Sequence, residues 1–283
     1  MAIGQETVSQ TDLNLKAMVD AYNHDADSEW RRLVKEPYNK IEFLTTLHML
    51  RKHLPEKGLI LDAGGGPGRY AIELCKAEYH VVLFDLSIRN IETAKAKFDF
   101  EQKEIKRRME GFLVGDVRNL IRFETASFDA VLCLDPLSNL LDEVERDRAV
   151  QELYRVAKPG APVFIGVRGY LAVLRTLLAQ CPAELLNASL PELQQTGNIQ
   201  SGANVCHYFR AAELKALAER NGFQTIEMAG CIGLSVGMRE KINQFSRNAE
   251  QWERWLALEL EYAAEPAVAD TAEHLLYVGR KSQ

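Results

Sequence analysis

The sequence predicts an α/β fold: a doubly wound, mostly parallel seven-stranded sheet with helices on both faces and a helical cap. Three observations predict it. Short apolar runs alternate with longer helical patterns through the middle of the chain, the rhythm of βαβ units. Those runs are continuously apolar, as strands buried on both faces require. A glycine-rich turn joins the first run to the first helix, where a parallel sheet presents backbone to a ligand.

Gly58–Ala63 is the first strand, and Arg69–Lys76 the helix after it, with Tyr70, Ala71, Leu74 and Cys75 as apolar positions. His80–Leu86 is the second strand. A helix through Ile88–Met109 follows, and the mixed-charge run Glu101–Glu110 reads as its solvated end. Gly111–Val117 and Phe128–Leu134 are the third and fourth strands, Leu141–Val156 a helix, Pro159-Gly160 a turn, and Ala161–Val167 the fifth strand. A helix at Ala211–Asn221 passes through Gly222 into a strand at Phe223–Met228. Arg239–Ala264 reads as one long helix in which Trp252 and Trp255 serve packing, and His274–Gly279 as the last strand. Residues 1–57 form an N-terminal helical extension or lid, in which Ile41, Leu44, Leu47 and Leu50 recur at helical spacing. Pro37 marks a break before a helix beginning near Tyr38. Residues 58–167 form the ligand-binding core, 168–210 a cap insertion, and 211–283 the rest of the core with a helical insertion at 231–273.

The 283 residues are 47% apolar and 26% charged, the balance of a globular chain. No stretch approaches the roughly 20 apolar residues that cross a bilayer. The start MAIGQETVSQTDLN lacks the basic and apolar regions of an export signal, so a cytoplasmic protein is expected. A net charge of −6 argues against nucleic acid as partner, because such binders replace counterions with a basic surface. The five cysteines, Cys75, Cys133, Cys181, Cys206 and Cys231, have no metal-ligand spacing and read as reduced and mostly structural.

The informative segment is Leu61-Asp62-Ala63-Gly64-Gly65-Gly66-Pro67-Gly68-Arg69. Glycines between a strand and a helix let backbone approach a ligand, and the helix N-terminus adds exposed N–H groups. A phosphate loop of Walker type needs Gly-Lys-Ser/Thr at its end, whereas Arg69 and Tyr70 follow Gly68. A G-x-G-x-x-G dinucleotide fingerprint started at Gly64 needs glycine where Arg69 stands. The spacing present is G-x-G-x-G, at Gly64, Gly66 and Gly68.

Asp62-x-Gly-x-Gly-x-Gly after an apolar strand resembles motif I of the class I, Rossmann-like S-adenosylmethionine-dependent methyltransferases. Four further segments match that family in the same order: Asp85 ending the second strand, Gly115-Asp116-Val117 ending the third, Phe128-Asp129-Ala130-Val131 entering the fourth, and Lys158-Pro159-Gly160 before the fifth. The resemblance covers roughly residues 55–167 and the last strand, with Ala161 replacing the second glycine of the family's K-P-G-G turn. It implies S-adenosyl-L-methionine as cofactor, with Asp62, Gly64, Gly66, Gly68, Asp85, Leu86, Asp116, Val117 and Leu134 around it. Asp62 would brace the loop, Asp85 would accept both ribose hydroxyls, and Asp116 with the Val117 N–H would meet the adenine. Asp135-Pro136-Leu137-Ser138 departs from the D/N-P-P-Y/F motif of nucleic-acid amino-methyltransferases at its last two positions, removing the base-stacking residue.

The sulfonium makes the methyl group electrophilic by itself, so the protein mainly holds an acceptor in line and excludes water. No obligatory catalytic residue is implied, and no metal is expected, because Val167-Arg168-Gly169 lacks the carboxylates of a magnesium site. Acceptor-site candidates are Tyr22, Arg31, Asp135, Arg168, His207 and Tyr208. His207 is the candidate general base, because histidine titrates near pH 7, with core or lid packing as its other reading. The expected activity is methyl transfer to a small-molecule acceptor. The alternatives are an NAD(P)-dependent oxidoreductase, which shares the doubly wound fold, and a non-catalytic S-adenosylmethionine-binding protein.

Overall fold

The computed structural model describes residues 19–20, 23–180, 189–201 and 204–282. Tyr22 and Cys181 lie outside the described residues, as do most of the first 22 positions.

Seven strands form one sheet in the order β3-β2-β1-β4-β5-β9-β8. They are β1 (Leu59–Ala63), β2 (His80–Asp85), β3 (Met109–Val114), β4 (Ala130–Leu134), β5 (Pro162–Arg168), β8 (Phe223–Cys231) and β9 (His274–Lys281). β9 runs antiparallel to both β5 and β8, and the pairs from β3 through β5 are parallel. The order reverses between β1 and its neighbours β2 and β4. A crevice therefore opens beyond the C-terminal ends of β1 and β4, where such sheets bind ligands.

Alternation along each strand sends neighbours to opposite faces. Leu61, Ala63, Val131 and Cys133 join a core with Ala149, Val150, Leu153, Leu214 and Leu217. Ile60, Leu83, Ala130 and Leu132 join a second with Leu47, Leu50, Ala71, Ile91 and Ala94. The first core is covered by the helices Glu143–Val156 and Ala211–Arg220. The second is covered by α2 (Pro37–His53), α3 (Arg69–Lys76) and α4 (Ile88–Phe98). Pro37 opens α2, where its missing N–H costs nothing, and a short helix α1 (Ala26–Arg32) precedes it.

Two expectations are corrected. The helix after β2 ends at Phe98, not Met109; Lys103–Lys106 forms one further turn, and Met109 already pairs with Val81 in β3. The charged run thus divides between a turn and an edge strand, and Gly115 N–H donating to Asp85 O closes the ladder before Asp116. The helix expected over Arg239–Ala264 is two, Arg239–Phe245 and Ala249–Tyr262. Asn248 interrupts it: its side chain accepts from Gln251 N–H as an N-cap, which favours a new start over continuation. His207, which carried both a base and a packing reading, is also settled in position by the cap.

The cap insertion holds the helices Tyr170–Gln180 and Ser189–Thr196 and an antiparallel hairpin of β6 (Asn198–Ser201) and β7 (Asn204–His207). His207 is 1% exposed. One ring nitrogen lies 2.6 Å from Asn198 Oδ1, the other 2.7 Å from Glu213 Oε1, and Phe209 meets the ring edge-on. With both nitrogens held, His207 ties the hairpin to the helix Ala211–Arg220; it packs rather than acting as a base. Tyr208 belongs to the cap's own cluster with Tyr170, Leu193 and Ile199.

Trp252 and Trp255 pack against Tyr38, Ile41, Ile232 and Ile242, and Trp255 Nε1 donates to Ser235 Oγ. Tyr38 is fully buried, and its hydroxyl donates to Glu273 Oε1 at 2.5 Å. This cluster clamps the start of α2 to the C-terminal insertion. Cys75, Cys133, Cys206 and Cys231 are free and buried. Among the described residues no helix is long and apolar enough to cross a membrane.

Candidate functional site

The loop after β1 is built by its glycines. Gly64, Gly66 and Gly68 have φ of 84°, 56° and 82°, left-handed values that strain other residues. A Cβ on Gly64 would stand 2.0 Å from Pro136 Cγ, so the loop and the turn after β4 touch. The amides of Gly64 and Gly65 donate to Phe84 O at the end of β2. Gly66 instead faces open space, its nearest neighbours being Glu29 Cγ at 3.9 Å and Asn90 Nδ2 at 4.0 Å.

Asp85 organises the next corner. One carboxylate oxygen accepts from Gly66 N–H at 2.8 Å, the other from Ser87 N–H at 2.8 Å and Asn90 Nδ2 at 3.1 Å. Burial pushes its pKa up against those three donors, which stabilise the ionised form. Ser87 caps α4 and donates its hydroxyl to Asn23 Oδ1, fastening the N-terminal segment here.

A cleft of about 770 Å³, including its open mouth, lies over these groups. Of the residues expected around a cofactor, Gly64, Gly66, Asp85, Leu86, Asp116, Val117 and Leu134 line it. Asp62 lines an adjoining cavity, and Gly68 lines neither, serving as the residue before α3. Asp116 is gripped by Arg118, whose Nε and Nη2 stand 2.9 and 2.5 Å from Oδ2 while Nη1 holds Glu145.

Asp135 lines both cavities at the end of β4, in a left-handed conformation (φ 83°) of the kind that clusters at functional sites. Arg168 reaches its Oδ2 through Nε at 3.2 Å and Nη2 at 2.9 Å. Oδ1 is buried with no hydrogen-bond partner among the described residues. Burial raises its pKa, but Arg168, His274 and Arg32 outweigh that and hold it below the usual range. Arg168 itself lines neither cavity; its backbone N–H donates to the buried Ser138 Oγ.

From the N-terminal segment, Arg31 is exposed and lines neither cavity; its neighbour Arg32 lines both. Arg32 bonds Glu29 Oε1 at 2.7 Å and both oxygens of the buried Glu42 at 3.0 and 2.9 Å. Arg69 stacks 3.9 Å over the Trp30 ring and donates to Trp30 O. The helical phase of α1 was the available signal, since Glu29 and Arg32 share one face.

The adjoining cavity is walled by Glu42, Thr46, Asp62, Tyr70, Cys231 and His274, and it shares Gly64, Gly66, Leu134 and Asp135 with the cleft. Glu42 and His274 escape sequence reasoning because they meet only through the topology. Asp62 is fully buried, yet neither carboxylate oxygen has a hydrogen-bond partner among the described residues, so it does not brace the loop amides. Burial, and then the charge of Asp85, push its pKa up to about 7.

The sign follows by linkage. From about pH 4 to pH 7 native Asp62 keeps a proton that the unfolded chain releases, so stability falls as pH rises through that window. Asp62→Asn is expected to raise the melting temperature of the ligand-free protein at pH 8 by several degrees. The cost of ionising native Asp62 that this removes is on the order of 4 kcal/mol at pH 8, and near pH 4, where Asp62 is protonated in the native state, the substitution should do little. Melting curves at the two pH values check it, and an equal shift at both would exclude titration of Asp62 as the cause.

Residues 60–160 match the family described as methyltransferase domain. YqeM of Bacillus subtilis (strain 168), which carries a methyltransferase name, is 34% identical over 107 residues, 38% of this chain and 40% of that protein. A demethylmenaquinone methyltransferase of Leptospira interrogans is 31% identical over 103 residues, 36% of this chain and 39% of that one. The matches to these two therefore span about two fifths of each relative. Two solved structures superpose over most of the chain. An S-adenosylmethionine-dependent methyltransferase of Methanosarcina mazei has TM-score 0.60 at 19% identity, covering 83% of this chain and 97% of that one. A 1,6-didemethyltoxoflavin N1-methyltransferase of Burkholderia thailandensis, holding its substrate and S-adenosylhomocysteine, has TM-score 0.57 at 13% identity, covering 99% and 94%. At such identities the likeness establishes the fold.

Proposed function

We propose that this chain, whose residues 60–160 match a methyltransferase-domain family, is a class I S-adenosylmethionine-dependent methyltransferase that moves a methyl group from S-adenosyl-L-methionine to a small-molecule acceptor by in-line displacement. One observation carries the reading: Gly64 and Gly66 of the loop, Asp85 and the unpartnered buried Asp62 line two adjoining cavities at the sheet's switch point.

The residues present fit that cofactor. Asp85 is held by three donors across its two oxygens, and Oδ2, which accepts only from Gly66, keeps a lone pair toward the ribose hydroxyls. Asp116 and Val117 line the cleft at the end of β3, and in this reading they meet the adenine edge. Gly66 leaves the room a Cβ would take, and Asp62 offers a buried carboxylate that lacks a donor, which an ammonium group supplies. The bound cofactor supplies an electrophilic methyl group. The chain positions the acceptor, and α1, which lines both cavities through Glu29 and Arg32, excludes water. In this reading residues 1–57 serve as lid, 58–167 as cofactor core, 168–210 as cap insertion, and 211–283 complete the core.

Two other readings remain measurable. A dinucleotide oxidoreductase shares the acid after β2 but not the glycine spacing, and a regulatory protein would bind without turnover. Calorimetry is expected to give saturable S-adenosyl-L-methionine binding and none of NAD(H); the reverse result would end the methyltransferase reading. Methylation of tRNA or DNA by this chain alone would overturn the small-molecule acceptor.

A further inference from the structure

We propose that the cavity adjoining the cleft is the acceptor chamber, that it takes a small primary or secondary amine, and that His274, oriented by Glu42, removes the amine's proton. This rests on the methyl-transfer reading and adds the acceptor class to it. The two cavities share Gly64, Gly66, Leu134 and Asp135, so a molecule in the second lies against whatever the first holds.

The chamber's chemistry selects the class. Its acidic groups are Glu29, Glu42, Asp62 and Asp135, and its cations are Arg32 and Arg69. Both cations are already engaged: Arg32 holds Glu29 and Glu42, and Arg69 lies on the Trp30 ring and carbonyl. The carboxylates are not all matched. Asp62 keeps both oxygens without hydrogen-bond partners among the described residues, and Asp135 keeps Oδ1 so. One of these needs is met by the cofactor's ammonium; the other calls for a donor from the acceptor. The cofactor's ammonium and carboxylate occupy the end at Asp62 and the glycine loop; the end left to the acceptor, around Asp135 Oδ1, Glu42 and His274, attracts an ammonium and disfavours a second anion.

An ammonium has no lone pair to attack with, so the chamber needs a proton acceptor. His274 opens β9, which runs antiparallel to β5, so its side chain stands at the edge where the parallel strands end, opposite Arg168. Its Nε2 lies 3.4 Å from Glu42 Oε2, and Arg32 fixes that carboxylate through both oxygens. The charged groups around the ring are Glu42 from α2, Asp135 from the turn after β4, Arg168 from β5 and Arg32 from α1. A carboxylate at one ring nitrogen orients the imidazole to take a proton at the other. The amine enters as R–NH3+ and gives one proton to His274. Its freed lone pair then forms the N–C bond as the methyl carbon's bond to sulfur breaks, the electron pair staying on sulfur. The methylated ammonium leaves, and the imidazolium returns its proton to water.

The test loads the full-length protein with S-adenosyl-L-homocysteine and titrates it with butylamine, ethanolamine and 2-phenylethylamine, and with phenol and butyrate for comparison. At least one amine is expected to bind at least 10-fold more tightly than either comparison compound. With S-adenosyl-L-methionine, His274→Asn is expected to lower kcat for that amine on the order of 100-fold. KM and cofactor affinity should stay within threefold. Glu42→Gln, which leaves the imidazole unoriented, should lower kcat in the same direction and keeps the test decisive if the histidine variant does not fold. The proposal falls if no amine binds the loaded protein, if phenol or butyrate binds instead, or if both variants keep the native kcat. Failure of the cofactor itself to bind would sink the methyl-transfer reading; cofactor binding without amine binding sinks only the acceptor class.

Discussion

Replacing Asp85 with alanine is expected to weaken S-adenosyl-L-methionine binding by on the order of 2–4 kcal/mol, roughly 30- to 1000-fold in dissociation constant. Two losses combine. The carboxylate would accept from the ribose hydroxyls at the lone pair its three protein donors leave, a charge-assisted bond, and it also holds the glycine loop through Gly66 N–H. Without it Gly66, with its left-handed φ of 56°, loses the bond that fixes its amide at the cleft. The fold should survive, because Asp85 stands at the end of β2 and its three donors sit beside an open cleft where water can replace it. A fall of a few degrees in melting temperature is expected from those displaced bonds. Asparagine is no rescue: its amide would set an N–H against an N–H donor of Gly66 or Ser87. Calorimetry with S-adenosyl-L-homocysteine on the folded variant measures the effect, and an unchanged dissociation constant would mean that the ribose lies elsewhere.

How far the sequence reaches depends on whether a residue's partner is local. The runs around Leu61, Leu83 and Val131 read as strands because burial on both faces leaves no polar position to confuse the period. Gly64, Gly66 and Gly68 were legible because each takes a conformation that almost only glycine supplies. Asn248 shows a local signal that periodicity hid: its capping bond to Gln251 splits a continuous apolar pattern into two helices. His207 had both a base and a packing reading, and the flanking aromatics could not choose between them; the structure buries the ring between Asn198 and Glu213. Glu42 and His274 were out of reach. One faces inward from a helix before the first strand, the other opens an antiparallel strand near the chain's end, and only the closed sheet brings them to 3.4 Å. Arg32 rather than Arg31 enters the site through a signal that was available, the helical phase of α1 that puts Glu29 and Arg32 on one face.

Deleting residues 1–34 is expected to leave a folded core that binds cofactor weakly and transfers methyl groups at a rate close to zero. The segment before β1 starts near the sheet's N-terminal edge. α2, seventeen residues at 1.5 Å each, is about 25 Å long and spans the sheet's height. That geometry allows α1 to lie at the ligand-binding edge, where Val19, Glu29 and Arg32 line the cleft and Asn23 meets Ser87 at the start of α4. An arm packed only on the back of the sheet would contribute none of these groups. Truncation removes the Trp30 surface under Arg69, opens the site to water and leaves the buried Glu42 without its arginine. The melting temperature should drop by several degrees for that last reason, while the two cores on either face of the sheet, which draw little on α1, keep the fold. The segment touches Arg69 of α3 and the start of α4, so a lid there is proposed to close over bound cofactor and acceptor as the gating step. The dissociation rate of S-adenosyl-L-homocysteine should therefore rise more than its association rate falls. Stopped-flow release from the native and truncated proteins measures this directly, with circular dichroism as the control for folding. Equal release rates, or methyl transfer by the truncated protein at the full-length rate, would show that α1 is a fixed wall of the site and not its lid.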